Sequence, residues 1–297
     1  MSPNSPWTRT PVKNGRAQFD LSKWADFPAL IYEVFLPYNQ YVWRGHKFAK
    51  WTLMATLGRR KISGDDPDWQ YKHQKSFQLH ATRQRGAGPQ RPASDNDVWA
   101  LGQHYGLDTP LLDWTGSPFV AAYFAFLQPS TPLERRTYGN RRAVWGLSAT
   151  SVQEKSASIM LEAKKRPRKP SPGVMEMIYP VAEDNARLIS QGGLFSRTPD
   201  GVSVEQWVDA AFAGATKMKL VKIVLPDEDR HDCLKMLNRM NINHKSLFPD
   251  LTGVSVYCNL CLEIPGYANE FWPQHVPGWS KDELQAGSRH RRRKQLS

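Results

Sequence analysis

The chain lacks several features that would have narrowed its class at once. Three cysteines among 297 residues cannot build a disulfide framework, and their scarcity predicts a reducing, cytoplasmic setting. No apolar run approaches the roughly 20 residues of a membrane-spanning helix; Phe119 to Leu127 comes nearest, and no membrane partner is expected. The opening Met1-Ser-Pro-Asn-Ser-Pro-Trp7 has no basic flank followed by an apolar stretch, so no secretory signal is expected either. Gly-x-Gly-x-x-Gly, the phosphate-loop pattern, His-Glu-x-x-His and Gly-x-Ser-x-Gly are all absent, which removes the common nucleotide-fold, metalloprotease and serine-hydrolase signatures. One Cys258-Asn-Leu-Cys261 pair cannot close a tetrahedral zinc site, and Cys233 is far off in sequence. Even with His231 and His244 nearby, the better reading is two small apolar side chains on one strand or turn, and no metal is expected.

What is present argues for a folded protein. Hydrophobic residues make up 40%, with 11 Trp, 10 Tyr and 12 Phe, enough apolar surface for a core. The net charge of +12 is unevenly spread. Lys164, Lys165, Arg166, Arg168 and Lys169 lie in one proline-rich segment, and Arg289, Arg291, Arg292, Arg293 and Lys294 in the C-terminal tail. The remainder is close to neutral. Both segments read as disordered pieces that attract phosphate non-specifically, so nucleic acid bound through the basic tail is one partner expectation and simple solubility is the other.

Residues 1–21, polar and proline-containing, read as a flexible arm. Ser22 is expected to cap a helix through Trp24, Phe27, Leu30, Ile31 and Val34, stopped at Pro37. Tyr41-Val42-Trp43 reads as a short strand ending at Arg44-Gly45. A surface helix follows between Pro67 and Arg85, then a loop over Gly86 to Ser94. Asp95 or Asn96 is expected to cap a helix through Val98, Leu101 and Tyr105. Leu111 to Thr115 reads as extended. Ser117-Pro118 is a cap residue followed by proline at the first helical position, opening an apolar helix that should be buried. Ala143 to Leu147, Val174 to Tyr179 and Leu220 to Leu225 read as strands, and an amphipathic helix follows Asp227. With helices dominating the first half and strands the second, the expected fold class is α+β, a mixed or antiparallel central sheet with helices packed around it.

Three clusters mix polar groups with residues that usually lie inside. In Tyr41-Val-Trp-Arg44-Gly45-His46, an arginine leaving a strand beside a glycine suits a bidentate grip on phosphate or carboxylate, with Gly45 letting a ligand approach the backbone. A pair between Arg44 and Asp113 is the alternative, and both can hold at once. In Gln103-His104-Tyr105-Gly106 and Leu111-Leu112-Asp113-Trp114-Thr115-Gly-Ser117-Pro118, the polar residues alternate with apolar ones as in the wall of a site. The free amides after Ser117 can receive an anion, and Trp114 can stack on a flat ring. In Asn185-Ala-Arg187-Leu-Ile-Ser-Gln191-Gly192-Gly193-Leu194-Phe195, a glycine-capped helix end is one reading and a ligand contact from Gln191 the other.

Together, Trp43-Arg44-Gly45, the Gln103 to Pro118 stretch, and Asn185-x-Arg187 with Gln191-x-Gly193-x-Phe195 resemble the FRG domain family of bacterial and phage proteins. That family is named for an aromatic-Arg-Gly motif, here Trp-Arg-Gly. Ser246-Leu-Phe-Pro-Asp-Leu-Thr-Gly253 is similar to its closing segment. The resemblance implies a domain over 22–255, a C-terminal extension over 256–287 and a basic tail over 288–297. A looser likeness links the chain to arginine-type ADP-ribosyltransferases, in which an aromatic-Arg-Gly strand grips NAD, a Ser/Thr-bearing strand enters an apolar helix, and a glutamate is catalytic. On that likeness the fold is ADP-ribosyltransferase-like and NAD is the substrate of a transferase or NAD glycohydrolase, acting as a toxin or phage-conflict effector. Arg44, Gly45, Tyr105, Trp114, Thr115, Ser117 and Arg187 would hold NAD, and His104, Asp113 and Gln191 would do the chemistry. The chain departs from the pattern at Gln191, which cannot supply the glutamate's charge. A non-catalytic module binding a nucleotide or nucleic acid is therefore the competing expectation.

Overall fold

The computed structural model describes residues 5–60, 66, 68–85, 94–166, 171–179 and 193–268. Its centre is one eight-stranded sheet: β1 (Trp7–Arg9), β2 (Arg16–Leu21), β3 (Tyr41–His46), β4 (Leu111–Thr115), β5 (Arg141–Ser148), β6 (Glu176–Ile178), β7 (Gly193–Arg197) and β8 (Leu220–Pro226). Their spatial order is β1-β2-β8-β5-β3-β4-β7-β6, antiparallel throughout except for the parallel β2–β8 pair. Around it lie α1 (Phe27–Leu30), α2 (Trp69–Arg85), α3 (Asp95–His104), α4 (Pro118–Phe126), α5 (Pro132–Tyr138), α6 (Ala149–Lys165), α7 (Val204–Ala211), α8 (Arg230–Arg239), α9 (His244–Leu247) and α10 (Leu251–Glu263). The fold is α+β with a mixed sheet, as its residues suggest.

Several boundaries differ from the sequence reading. Residues 7–21 are not a loose arm: β2 alternates Arg16, Gln18 and Asp20 with buried Ala17, Phe19 and Leu21, and pairs with β8 about 200 positions later. Four of the strands therefore precede residue 120, and the expected division into a helical and a strand half does not hold. Trp24 to Phe35 is helical but irregular, a 3₁₀ turn, α1 and a π-turn in succession. Its N-cap is Lys23 rather than Ser22, without a side-chain cap, and Pro28 occupies its first α turn. α3 is capped by Ser94, whose Oγ accepts from the Asp97 amide, rather than by Asp95 or Asn96. Lys164 and Lys165 end α6, so the first basic segment is in part a helix. The expected boundary at 255 falls inside α10, which carries Cys258 exposed and Cys261 half-buried on a helix, not a strand or turn. The tail at 288–297 lies outside the described residues. No described helix is long and apolar enough to cross a membrane.

The sheet separates two core layers. On one face, Phe27, Leu30 and Phe35 meet Val120 to Phe126, Leu234, Leu237 and Leu260. On the other, Trp145, Ala143 and Leu220 meet Val152 of α6 and Val204, Trp207 and Val208 of α7. A smaller cluster joins Trp99 of α3 to Leu57, Leu111 and Phe195.

The buried α4 is secured at both ends, as a helix without exposed termini must be. Ser117 Oγ accepts from the Val120 amide at its start. At its end Arg142 donates to the carbonyls of Ala125 and Gln128, and Arg230 to those of Phe126 and Leu127. Two cations on the last carbonyls also match the negative end of the helix dipole.

Candidate functional site

The β3–β4 contact is the weak seam of the sheet. β3 pairs with β5 over six residues, but with β4 at one position, Trp43 opposite Thr115. Beyond that pair the two strands are bridged by a side chain. Arg44 Nη1 donates to the Asp113 carbonyl oxygen at 2.8 Å and to Asp113 Oδ2 at 3.2 Å. Its Nε donates to His46 Nε2 at 3.4 Å. That bond needs an unprotonated acceptor, and burial, reinforced by the Arg44 charge, pushes His46 down to about 3. Gln103 of α3 donates to the other carboxylate oxygen, Oδ1, at 2.5 Å. Arg44 thus does pair with Asp113, the alternative reading of its role.

A cavity of about 290 Å³ opens at this seam, lined by Trp43, Arg44, Gly45, Asp113, Trp114, Thr115, Ala121, Phe124 and Phe248. Three separate stretches of chain build it. β3 and β4 supply the Arg–Asp pair, and α4 supplies Ala121 and Phe124. Phe248, just after α9, stands edge-on to Phe124 at 6.2 Å and is stacked on His244 at 4.2 Å. Gly253 allows this arrangement, since a Cβ there would sit 1.9 Å from the Phe248 carbonyl oxygen. Most of the lining is apolar, with one charged pair, which suits a flat ligand carrying a few polar atoms.

Of the residues expected in a site, Arg44, Gly45, Asp113, Trp114 and Thr115 share this cavity. Gly45 has a different constraint from the one expected: a Cβ there would come 2.0 Å from the Ala121 carbonyl oxygen, so it is α4, and not only a ligand, that needs the glycine. Trp114 is buried, with its ring in the α6/α7 core layer and its indole N–H donated to Ser196 Oγ at 2.8 Å. It forms a fixed wall rather than an open stacking face. Thr115 Oγ1 accepts from the Ser117 amide at 3.2 Å. Ser117 is outside the lining and acts as the cap of α4, which uses up one of the amides expected to receive an anion.

His104 and Tyr105 are also outside the lining; both are exposed, their rings edge-on to each other at 4.9 Å. The reason is helical phase. Trp99 and Gln103 share the face of α3 turned toward the sheet, and His104 is rotated about 100° from Gln103. Of the two neighbours it is Gln103, and not His104, that reaches Asp113. Arg187 and Gln191 lie outside the described residues; Gly193, where β7 begins, is paired with Thr115. His46, Gln103, Phe124 and Phe248 were given no individual role by the sequence, although Gln103 and His46 belong to the first two clusters and Phe248 to the Ser246–Gly253 segment.

No cluster of metal-binding side chains occurs among the described residues. Neither the curated proteins nor the solved structures include a match to this chain. The FRG domain family model matches residues 39–133, which run from the turn before β3 to the start of α5. That stretch is narrower than 22–255 and includes every described side chain of the Arg44–Asp113 network. By its Trp-Arg-Gly strand, its Asp-Trp-Thr strand and this match, the protein carries an FRG domain.

Proposed function

We propose that the seam cavity binds the nicotinamide end of NAD or a related nucleotide, and that the protein is an NAD-cleaving enzyme, an ADP-ribosyltransferase or NAD glycohydrolase. The observation that carries this reading is the Arg44–Asp113 pair at the edge of an otherwise apolar cavity. A volume of about 290 Å³ has room for one ring and its sugar, so the pyrophosphate would lie toward the opening, where Arg44 can hold it. Phe124 and Phe248 offer ring contacts. Cleavage of the nicotinamide–ribose bond sends the bonding electrons to the leaving nicotinamide and leaves positive charge on the ribose. The Asp113 carboxylate is the group suited to stabilise that charge while water or an acceptor side chain forms the new bond and loses its proton. Such an activity suits a toxin or phage-conflict effector, since it drains NAD.

One observation favours a second reading, a binding module without catalysis. Both Asp113 oxygens are already engaged, by Arg44 and by Gln103. A carboxylate so neutralised binds and orients but gives less charge stabilisation.

The test is nicotinamide release from labelled NAD, beside calorimetric NAD binding. The first reading expects release, lost with Asp113→Asn while NAD still binds, and NAD binding weakened about thirtyfold with Arg44→Ala. Binding without release at high protein concentration selects the second reading. Neither binding nor release ends both.

A further inference from the structure

A second cavity lies on the opposite face of the sheet from α4. About 630 Å³ in volume, it is lined by Lys13, Arg16, Gln18, Trp145, Asp209 and Lys222, with Thr10 and Asn14 at the turn before β2. Strand register brings its floor together from distant sequence: Gln18 of β2 is opposite Lys222 of β8, and Lys222 opposite Trp145 of β5. Cross-strand neighbours share a face, so these side chains form one row across the sheet.

Three features of the row concern charge and hydrogen bonding. Lys222 Nζ lies 5.0 Å from the centre of the Trp145 ring and makes no hydrogen bond or ion pair among the described residues. Burial holds its ammonium below the usual lysine range, and neither Glu205 nor Asp20 restores it. Those two carboxylates are committed elsewhere, Glu205 to the Leu53 amide and Asp20 to Gln18. The third feature is the Trp145 indole N–H, which is buried and has no acceptor. The one carboxylate in the lining, Asp209, is paired to Arg16 at 2.5 Å. Neither Lys13 nor Lys222 therefore has a carboxylate in ion-pair contact among the described residues, and both stand beside an aromatic ring and the side-chain amide of Gln18.

We infer that this cavity is a phosphate-ester site for a nucleotide unit, with Lys222 and Arg16 facing the phosphate, Gln18 facing the attached ring, and the buried Trp145 forming a fixed wall beneath Lys222. The ligand chemistry is shared by a free nucleotide and by a single strand of nucleic acid. The site is separate from the seam cavity and does not depend on the NAD reading.

Calorimetric titration of the full chain with inorganic phosphate, AMP and a short oligouridylate tests it. AMP is expected to bind more tightly than phosphate. Lys222→Gln should weaken that binding about tenfold, as expected for loss of a charge-assisted contact. Lys222→Arg, which keeps the charge, should bind within about threefold of the unaltered protein, and Arg44→Ala should leave the Lys222-dependent binding in place. Tighter binding of oligouridylate than of AMP identifies a strand as the ligand, and the reverse a free nucleotide; either supports the site if Lys222→Gln weakens it. Binding of all three that is insensitive to Lys222→Gln in a protein with unchanged melting, or no binding at all, overturns it.

Discussion

Arg142 and Arg44 are both arginines on central strands that reach an aspartate, and they live in opposite surroundings. The Arg142 side chain is 0% exposed and that of Asp227 3%; the guanidinium also meets Ala125, Gln128 and Ser130, so every neighbour is matched inside the protein. The Arg44 side chain is 23% exposed and that of Asp113 59%, and their pair stands at the mouth of a cavity. A closed pair holds a helix end to the sheet and has nothing left for a ligand. An open pair contributes little to stability and can exchange its partners with an incoming anion.

The largest effect should come from breaking the closed pair. Asp227→Ala strands a buried guanidinium, and a loss of about 3–5 kcal/mol is expected in denaturant unfolding. The same pair predicts acid sensitivity. Burial alone would raise the Asp227 carboxyl, but Arg142, Ser130 and Arg135 hold it below the usual range. With a depressed folded value, its contribution is complete above the unfolded carboxylate's value of about 3.9 and drains as pH falls through the folded one. Unfolding midpoints measured down through that range should drop less steeply once Asp227 is replaced by Asn.

Breaking the open pair should separate function from stability. Arg44→Ala is expected to cost under about 1 kcal/mol in unfolding, as for a part-exposed ion pair. Its cost in NAD binding should be about 2 kcal/mol, read by calorimetry. Equal losses in both measurements would put Arg44 with Arg142 as a structural arginine. A smaller change sharpens the contrast at the start of α4. Ser117→Ala removes a helix cap and should lower stability by about 1 kcal/mol while leaving ligand affinity unchanged. A fall in affinity would return Ser117 to the site.

Local chemistry made some of this legible from residues alone. Ser117-Pro118 before an apolar run marked α4 at its first residue, because cap and proline act within one turn. The alternation of Leu220 to Leu225 marked β8 in the same way. β2 carries an equally regular alternation, yet prolines and polar residues around it disguised a strand whose partner is about 200 positions away. Trp-Arg-Gly and Asp-Trp-Thr marked the site, and the pairing of Arg44 with Asp113 was one of two readings left open. His104 was misplaced for a finer reason: one step along a helix turns a side chain by about 100°, and adjacent Gln103 and His104 are equally plausible until α3 is set against the sheet. Phe248 could not be placed at all, since its proximity to Phe124 exists only after α9 and α10 dock.

What the sequence determined by itself was the class of the fold, the identity of the domain and the strand that carries Arg44, since each depends on neighbours within a few residues. The tertiary structure alone decided which polar side chains converge, that β3 and β4 part after a single pair, and that a lysine on β8 comes to face a tryptophan on β5. Those relations come from strand register and helix docking. They are settled by burying apolar surface between segments that are remote in the chain, so no local pattern encodes them.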